Sequence, residues 1–242
     1  MIQKLIETPI YFDYKLPTKN DIDWLKINTK SVNVEQNFRI NAAHSYREIK
    51  LSGTQNIMLA RQALVLKLNE ILEILPNKYS FKVFDAFRTV ETQFALFNYI
   101  YNQQKEINPK LSHSELYSIT REFIIHPEET SRFAIPPHNS GGAIDLTLTC
   151  DGINLEMGTD FDAITPLSQT NYFEQEYISE CGFTNEKWLE IRNNRRILFN
   201  AMKHVGFTNF QVEWWHYDLG DCMWAIELQQ NWYYPSLEKE LK

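Results

Sequence analysis

Glu213 and His216 flank two tryptophans in EWWHYDLGD (213–221), and His138 stands seven residues ahead of Asp145 in PPHNSGGAID. Polar groups set around bulky apolar residues are either accidents of packing or groups aimed at a common target. Together His138, Asp145 and His216 offer two imidazole nitrogens and one carboxylate oxygen. Three protein ligands with a fourth position left for water is the arrangement of a catalytic zinc rather than a structural one. Such an ion brings the pKa of its water to about 7, which makes hydroxide available at neutral pH. A carboxylate must then take the water's proton, and Glu213 is the candidate general base.

Taken singly, these residues have plainer explanations. A His beside a Trp is more often packed or exposed than a ligand, and an Asp in a strand can cap a turn. The compact HExxH and GxSxG patterns are both absent. Asp145, however, interrupts the apolar run AIDLTL, where a carboxylate is costly to bury unless paired or bound to metal. Spacing adds a condition. Residues three apart in a regular strand point to opposite faces, so Glu213 and His216 share a site only if the chain bulges or turns between them.

The elements that must hold these residues follow from the hydrophobic pattern. Residues 1–36 read as an N-terminal wrapping segment. Residues 55–75 carry Leu59, Ala63, Leu66, Ile71, Leu72 and Leu75 at helical spacing, and Pro76 ends the run. SFKVFDAF (80–87) reads as a strand with Arg88 at its end, and a helix follows from Thr89 with Glu91 in its first turn. SHSE (112–115) is a capping box that opens a third helix toward Ile125. His126 to Pro137 reads as loop. GGAIDLTLT (141–149) turns into a strand with Ile144, Leu146 and Leu148 on one face and Ala143, Asp145 and Thr147 on the other. Residues 150–172 form a long connection of the kind that is often functional. Thr184 caps a helix to about Val205, striped by Trp188, Ile191, Leu198 and Met202, with Gly206 just past its end. NFQVEWW (209–215) and CMWAIEL (222–228) read as strands joined near Gly220. The expectation is one α+β domain over residues 1–242, with a central antiparallel sheet and flanking helices.

Composition bounds the partners. The 242 residues are 43% hydrophobic and 14% aromatic, enough for a sizeable core. With 24 basic against 31 acidic residues the net charge is −7, which disfavours nucleic acid or an anionic membrane. Cys150, Cys181 and Cys222 are odd in number and lack CxxC spacing, so they read as reduced thiols rather than disulfides or a zinc site. No stretch approaches the roughly 20 apolar residues of a membrane span. MIQKLIETPIYFDYKLP lacks the apolar core of a signal peptide, which points to the cytoplasm, or to the periplasm if an export signal has been removed.

At the residues singled out above, the sequence resembles a known family. HNSGGAID resembles the His-x6-Asp element of zinc D,D-peptidases (peptidase family M15), and EWWHYDL resembles their dipeptidase branch, the VanX type. VFDAFR, MGTDFD (157–162) and EIRNNRRILFNAMKHVGF (190–207) resemble further segments of that branch, so the likeness runs from about residue 37 to 228. It implies a hedgehog/D,D-peptidase-like fold and one zinc ion held by His138, Asp145 and His216. Glu213 would be the general base and acid. Arg88 would stabilise the tetrahedral oxyanion, worth roughly 3 to 4 kcal/mol by analogy with one oxyanion-hole donor. Asp162 would pair the free ammonium of a dipeptide, with Asp85 also assigned to substrate binding. The implied reaction is hydrolysis of a small D,D-dipeptide, D-Ala-D-Ala, to free D-alanine. The alternatives are a D,D- or L,D-carboxypeptidase or endopeptidase on peptidoglycan peptides, and a zinc-bearing binding domain without catalysis. Retention of Glu213 and Arg88 argues against the last. Three departures bear on substrate preference: Pro136 replaces the usual Ser, Thr89 replaces Pro, and residues 104–132 read as a longer insertion near the site.

Overall fold

The computed structural model describes residues 1–12, 25–128 and 135–240. In chain order they form α1 (Ile2–Glu7), β1 (Leu25–Lys26), β2 (Ser31–Asn33), β3 (Ile40–Ala42), α2 (Ser45–Glu48), β4 (Leu59–Arg61), α3 (Gln62–Ile74), β5 (Tyr79–Asp85), α4 (Val90–Ile107), α5 (His113–Phe123), β6 (Ala143–Cys150), β7 (Ile153–Asn154), α6 (Asn185–His204), β8 (Thr208–Asn209), β9 (His216–Asp218), α7 (Cys222–Glu227) and β10 (Trp232–Tyr233), with short 3-10 turns between them. The fold is mixed α+β. Among the described residues no helix is long and apolar enough to cross a membrane.

Six strands make the main sheet, in the order β3-β5-β6-β9-β8 with β7 added to β6. Its pairs are antiparallel except β3 with β5, which is parallel. The sheet is therefore mixed, because the chain passes from β3 to β5 through α2, β4 and α3, and a crossover of that length lets strands run the same way. Register is what matters for the site. Asp85 pairs with Asp145, and Asp145 pairs with His216, so three polar residues lie side by side across β5, β6 and β9. The alternation expected for β6 holds: Ile144, Leu146 and Leu148 join Leu64, Leu68, Leu198 and Met202 in the main core, while Asp145 faces a cleft.

Local signals at the helix starts are met in the structure. The Thr89 hydroxyl accepts from Thr92 N at 3.0 Å, a cap that Pro at this position could not supply. Ser112 and Glu115 form the reciprocal capping box, and the Thr184 side chain accepts from Lys187 N. Residues 104–128 form the end of α4, then α5 and the turn after it, and Arg121, Ile124 and Ile125 line the cleft.

Four expectations need correction. The 55–75 helix begins only at Gln62, because Leu59–Arg61 pairs with β2 as a strand. The N-terminal wrapping contains a helix, α1, whose carbonyls at Leu5 and Ile6 accept from Asn200 and Arg196 of α6. NFQVEWW is not a strand beyond Asn209; residues 210–215 turn. CMWAIEL is helix α7, since the Asp221 side chain accepts from Trp224 N at 2.8 Å and caps it. Over six residues a period of 2 and a period of 3.6 are hard to tell apart, and the cap decides. The expected loop at 126–137 includes 129–134, which lie outside the described residues.

Arg195 of α6 is a buried strut. Its guanidinium donates to Met157 O at 2.8 Å, Gln169 O at 2.6 Å and Leu167 O at 2.7 Å, gathering the 157–169 connection against the helix. Arg195→Ala is expected to lower the unfolding free energy by about 3 kcal/mol, since three carbonyls lose a charged donor. Urea denaturation checks this through a lower midpoint.

Candidate metal centre

His138 rides on a 3-10 turn, Pro137–Ser140, whose first residue has its φ fixed by the proline ring. Gly141 closes the turn in a left-handed conformation (φ 72°). A Cβ at Gly142 would lie 2.8 Å from Leu219 O, so the segment entering β6 fits tightly against the one leaving β9.

The chain also turns where the sequence required it. Glu213 N donates to Phe210 O at 2.9 Å and His216 N to Glu213 O at 3.2 Å. This brings a Glu213 carboxylate oxygen to 3.9 Å from His216 Nδ1. The tryptophans between them anchor the turn. Trp214 Nε1 donates to Thr159 Oγ1 at 2.8 Å, and Trp215 packs edge-on against Phe161 with centroids 5.6 Å apart.

His138, Asp145 and His216 converge. His138 Nε2 lies 3.2 Å from His216 Nδ1 and 3.3 Å from Asp145 Oδ2. His216 Nδ1 lies 3.0 Å from Asp145 Oδ1. Bonds of about 2.0–2.1 Å in a tetrahedron put ligand atoms roughly 3.3 Å apart, so this spacing suits one small cation. The outer nitrogens are committed elsewhere: His138 Nδ1 to Ala86 O at 2.7 Å and His216 Nε2 to Asp218 Oδ1 at 2.8 Å. A ring that donates through its outer N–H turns a lone pair inward. Two nitrogen lone pairs and a carboxylate then face one another, which is repulsive unless a proton or a cation lies among them. The donor set, two imidazoles and a carboxylate, fits a borderline ion such as zinc. These three are the one such group among the described residues.

Charge follows from that arrangement. Burial opposes ionisation of Asp145, but His138 and His216 hold its carboxyl well below the usual range. Burial likewise opposes charge on His216, but Asp218 and Asp145 outweigh it and keep its pKa well above the ordinary imidazole value. Without a cation, the protonated form of His216 is therefore favoured over that of a free imidazole. Since a ligand nitrogen must be bare, zinc binding is expected to release at least one proton per site at pH 7, and affinity is expected to fall as pH drops. Zinc titration calorimetry in buffers of different ionisation enthalpy measures the released protons.

Around this centre stand the other residues singled out by the sequence. Arg88 Nε donates to Asp85 Oδ2 at 2.9 Å, its Nη1 to Gln93 Oε1 at 2.9 Å, and its Nη2 lies 3.6 Å from Asp145 Oδ2. Burial works against the guanidinium charge, yet Tyr46, Asp85, Asp145 and Asp162 together keep it firmly charged. Asp162, left-handed at φ 61°, is open on the cleft wall. Desolvation by the surrounding protein, then Asp145, push its carboxyl up to about 7, against the pull of Arg88 and of the nearby Tyr46 hydroxyl. Glu213 keeps 21% of its side chain accessible, and burial of the rest lifts it to about 8, with Asp145 and Asp162 adding and His216 and Arg88 opposing. Arg88, His138, Asp145, Asp162, Glu213 and His216 all line one cleft of about 840 Å³, with Pro136 at its wall. Asp218, Gln93 and Tyr46 complete the surroundings. Sequence reasoning passed over all three, although Asp218 stands in the quoted EWWHYDLGD two residues after His216, the spacing that shares a strand face.

The peptidase M15 family, described as D-ala-D-ala dipeptidase, matches residues 47–234. The chain is 27% identical over 159 residues to the D-alanyl-D-alanine dipeptidase of Synechocystis sp. (strain ATCC 27184 / PCC 6803 / Kazusa), covering 62% of this chain and 63% of that one. It is 34% identical over 86 residues to the D-alanyl-D-alanine dipeptidase of Enterococcus faecalis (strain ATCC 700802 / V583), covering 35% and 37%. The aligned part thus spans less than two thirds of either relative.

Proposed function

The chain belongs to the D-ala-D-ala dipeptidase family of peptidases, and on that premise we propose that it hydrolyses D-Ala-D-Ala to free D-alanine using one zinc ion. The observation that carries the reading is the meeting of His138 Nε2, His216 Nδ1 and an Asp145 oxygen at 3.0–3.3 Å, each imidazole oriented by a second partner. A zinc ion held by these three residues supplies Lewis acidity, lowering the pKa of water to about 7.

The chain's own residues do the rest. Glu213 takes the proton of the attacking water and returns it to the departing amine. A carboxyl lifted toward neutrality is suited to both directions of transfer. Arg88, charged and fixed by Asp85 and Gln93, faces the oxygen on which negative charge builds. Asp162 pairs with the substrate's ammonium, which needs a counter-charge once water is excluded. Pro136 stands on the cleft wall, and with neither a side-chain hydroxyl nor a backbone N–H it donates no hydrogen bond to the substrate.

A second reading, trimming of longer peptidoglycan peptides, is favoured by the size of the cleft, about 840 Å³. The two separate on substrates. Zinc-loaded protein is expected to release D-alanine from D-Ala-D-Ala, to leave N-acetyl-D-Ala-D-Ala intact, and to lose activity with a chelator. Turnover of the acetylated peptide or of muropeptides at the dipeptide's rate would favour the second reading. Failure to cleave any of them with zinc bound would overturn both.

A further inference from the structure

Tyr46 stands between the two charges just assigned to the substrate, and nothing in its sequence context marks it. It lies on the one-turn helix α2, entered through a left-handed His44 (φ 51°), and its side chain is buried on the cleft wall. Its hydroxyl accepts from Arg88 Nη2 at 3.2 Å and lies near enough to the Asp162 carboxyl to favour its charged form. Its ring lies against the same guanidinium, with Arg88 Cζ 4.8 Å from the centroid, and packs on Phe161, the neighbour of Asp162, at 5.9 Å. Phe161 in turn stacks on Phe84 of β5 at 4.5 Å.

The chemistry of the group suits the place. A phenol has one hydrogen and lone pairs, so it serves a cation and an anion at once. A second carboxylate there would add repulsion beside Asp85 and Asp145, and an amine could not accept from Arg88. Asp162 is on a connection rather than on a strand, and without a partner fixed to the sheet it would hold its position less sharply than Arg88 does.

We propose that Tyr46 is a positioning residue: its hydroxyl ties Asp162 to Arg88, sets the ammonium-binding carboxylate at one distance from the scissile bond, and so selects substrates whose free amine lies one residue from that bond. This rests on the dipeptidase reading and on Asp162 as the ammonium partner.

Tyr46→Phe keeps the ring over Arg88 and removes only the oxygen. With zinc bound, it is expected to raise KM for D-Ala-D-Ala about tenfold, the size of one hydrogen bond to a charged group, with kcat within twofold. Inhibition by N-acetyl-D-alanine, which keeps the carboxylate and amide but lacks the ammonium, is expected to be unchanged. Because Tyr46 acts through Asp162, the substitution is expected to add nothing to KM in an Asp162→Asn background. A general loosening of the site would instead weaken N-acetyl-D-alanine as well, and a fall in melting temperature of the zinc-loaded protein would accompany it. Unchanged KM, equal loss toward the amine-free inhibitor, or full additivity with Asp162→Asn would each overturn the proposal while leaving the dipeptidase reading intact. No dipeptide turnover by the unsubstituted protein would overturn both.

Discussion

Glu213→Gln is expected to lower kcat for D-Ala-D-Ala by about 10³-fold, roughly 4 kcal/mol of barrier, with zinc still bound. Gln matches the shape of Glu and keeps an acceptor oxygen, but it cannot take a proton from water or give one to a departing amine. The three candidate ligands are untouched, because Glu213 comes no nearer to His216 Nδ1 than 3.9 Å, outside bonding range. Metal content of the purified variant should therefore equal that of the parent, and the loss should fall on kcat rather than KM. The sign of the pH effect follows from burial, which lifts the Glu213 carboxyl toward about 8 in the metal-free protein. There it binds a proton over a range where the unfolded chain has already lost it. Metal-free protein therefore loses stability as pH rises from about 4.5 to 8, and Glu213→Gln removes that part of the slope. Turnover that survives the substitution would refute Glu213 as the base.

Arg88→Ala is expected to act on both chemistry and stability. Deleting a donor that faces a developing oxyanion costs about 10²- to 10³-fold in kcat. The same change strips Asp85 of its 2.8 Å ion pair and leaves buried carboxylates at Asp85 and Asp145 facing each other across the strand pair. Breaking a buried pair from one side costs about 3 to 5 kcal/mol, so the melting temperature of the metal-free protein should fall clearly. Zinc should recover part of that loss by neutralising Asp145. Kinetics at saturating dipeptide, beside thermal melts with and without zinc, separate the two effects. A variant with the parent's kcat would exclude Arg88 from the chemistry.

The sequence was most readable where a residue's type was at odds with its neighbours. Asp145 in an apolar strand, and His138 between a proline pair and a glycine pair, have few physical explanations, and the structure brings them together with His216. Helices that start at Thr89, Ser112 and Thr184 were readable because a side-chain cap is a local interaction. What stayed hidden was set by long-range contacts or by segments too short to show a period. β4 is a strand because β2 lies beside it, and nothing within Leu59–Arg61 says so. α7 has six residues, and its aromatic content resembles a strand until Asp221 is seen as a cap. Tyr46 meets Arg88 42 positions later in the chain and Phe161 115 positions later, separations that no motif spans.

The cross-strand row of Asp85, Asp145 and His216 has a bearing on biosynthesis. The central carboxylate, Asp145, is made 71 residues ahead of its neighbour His216 in the row. A ribosome must therefore pass His216 before the three side chains can meet around one ion. Loading then follows the closing of β9 onto β6, and chains cut short ahead of Glu213 should emerge without metal, as substrates for proteolysis rather than as partly active enzyme.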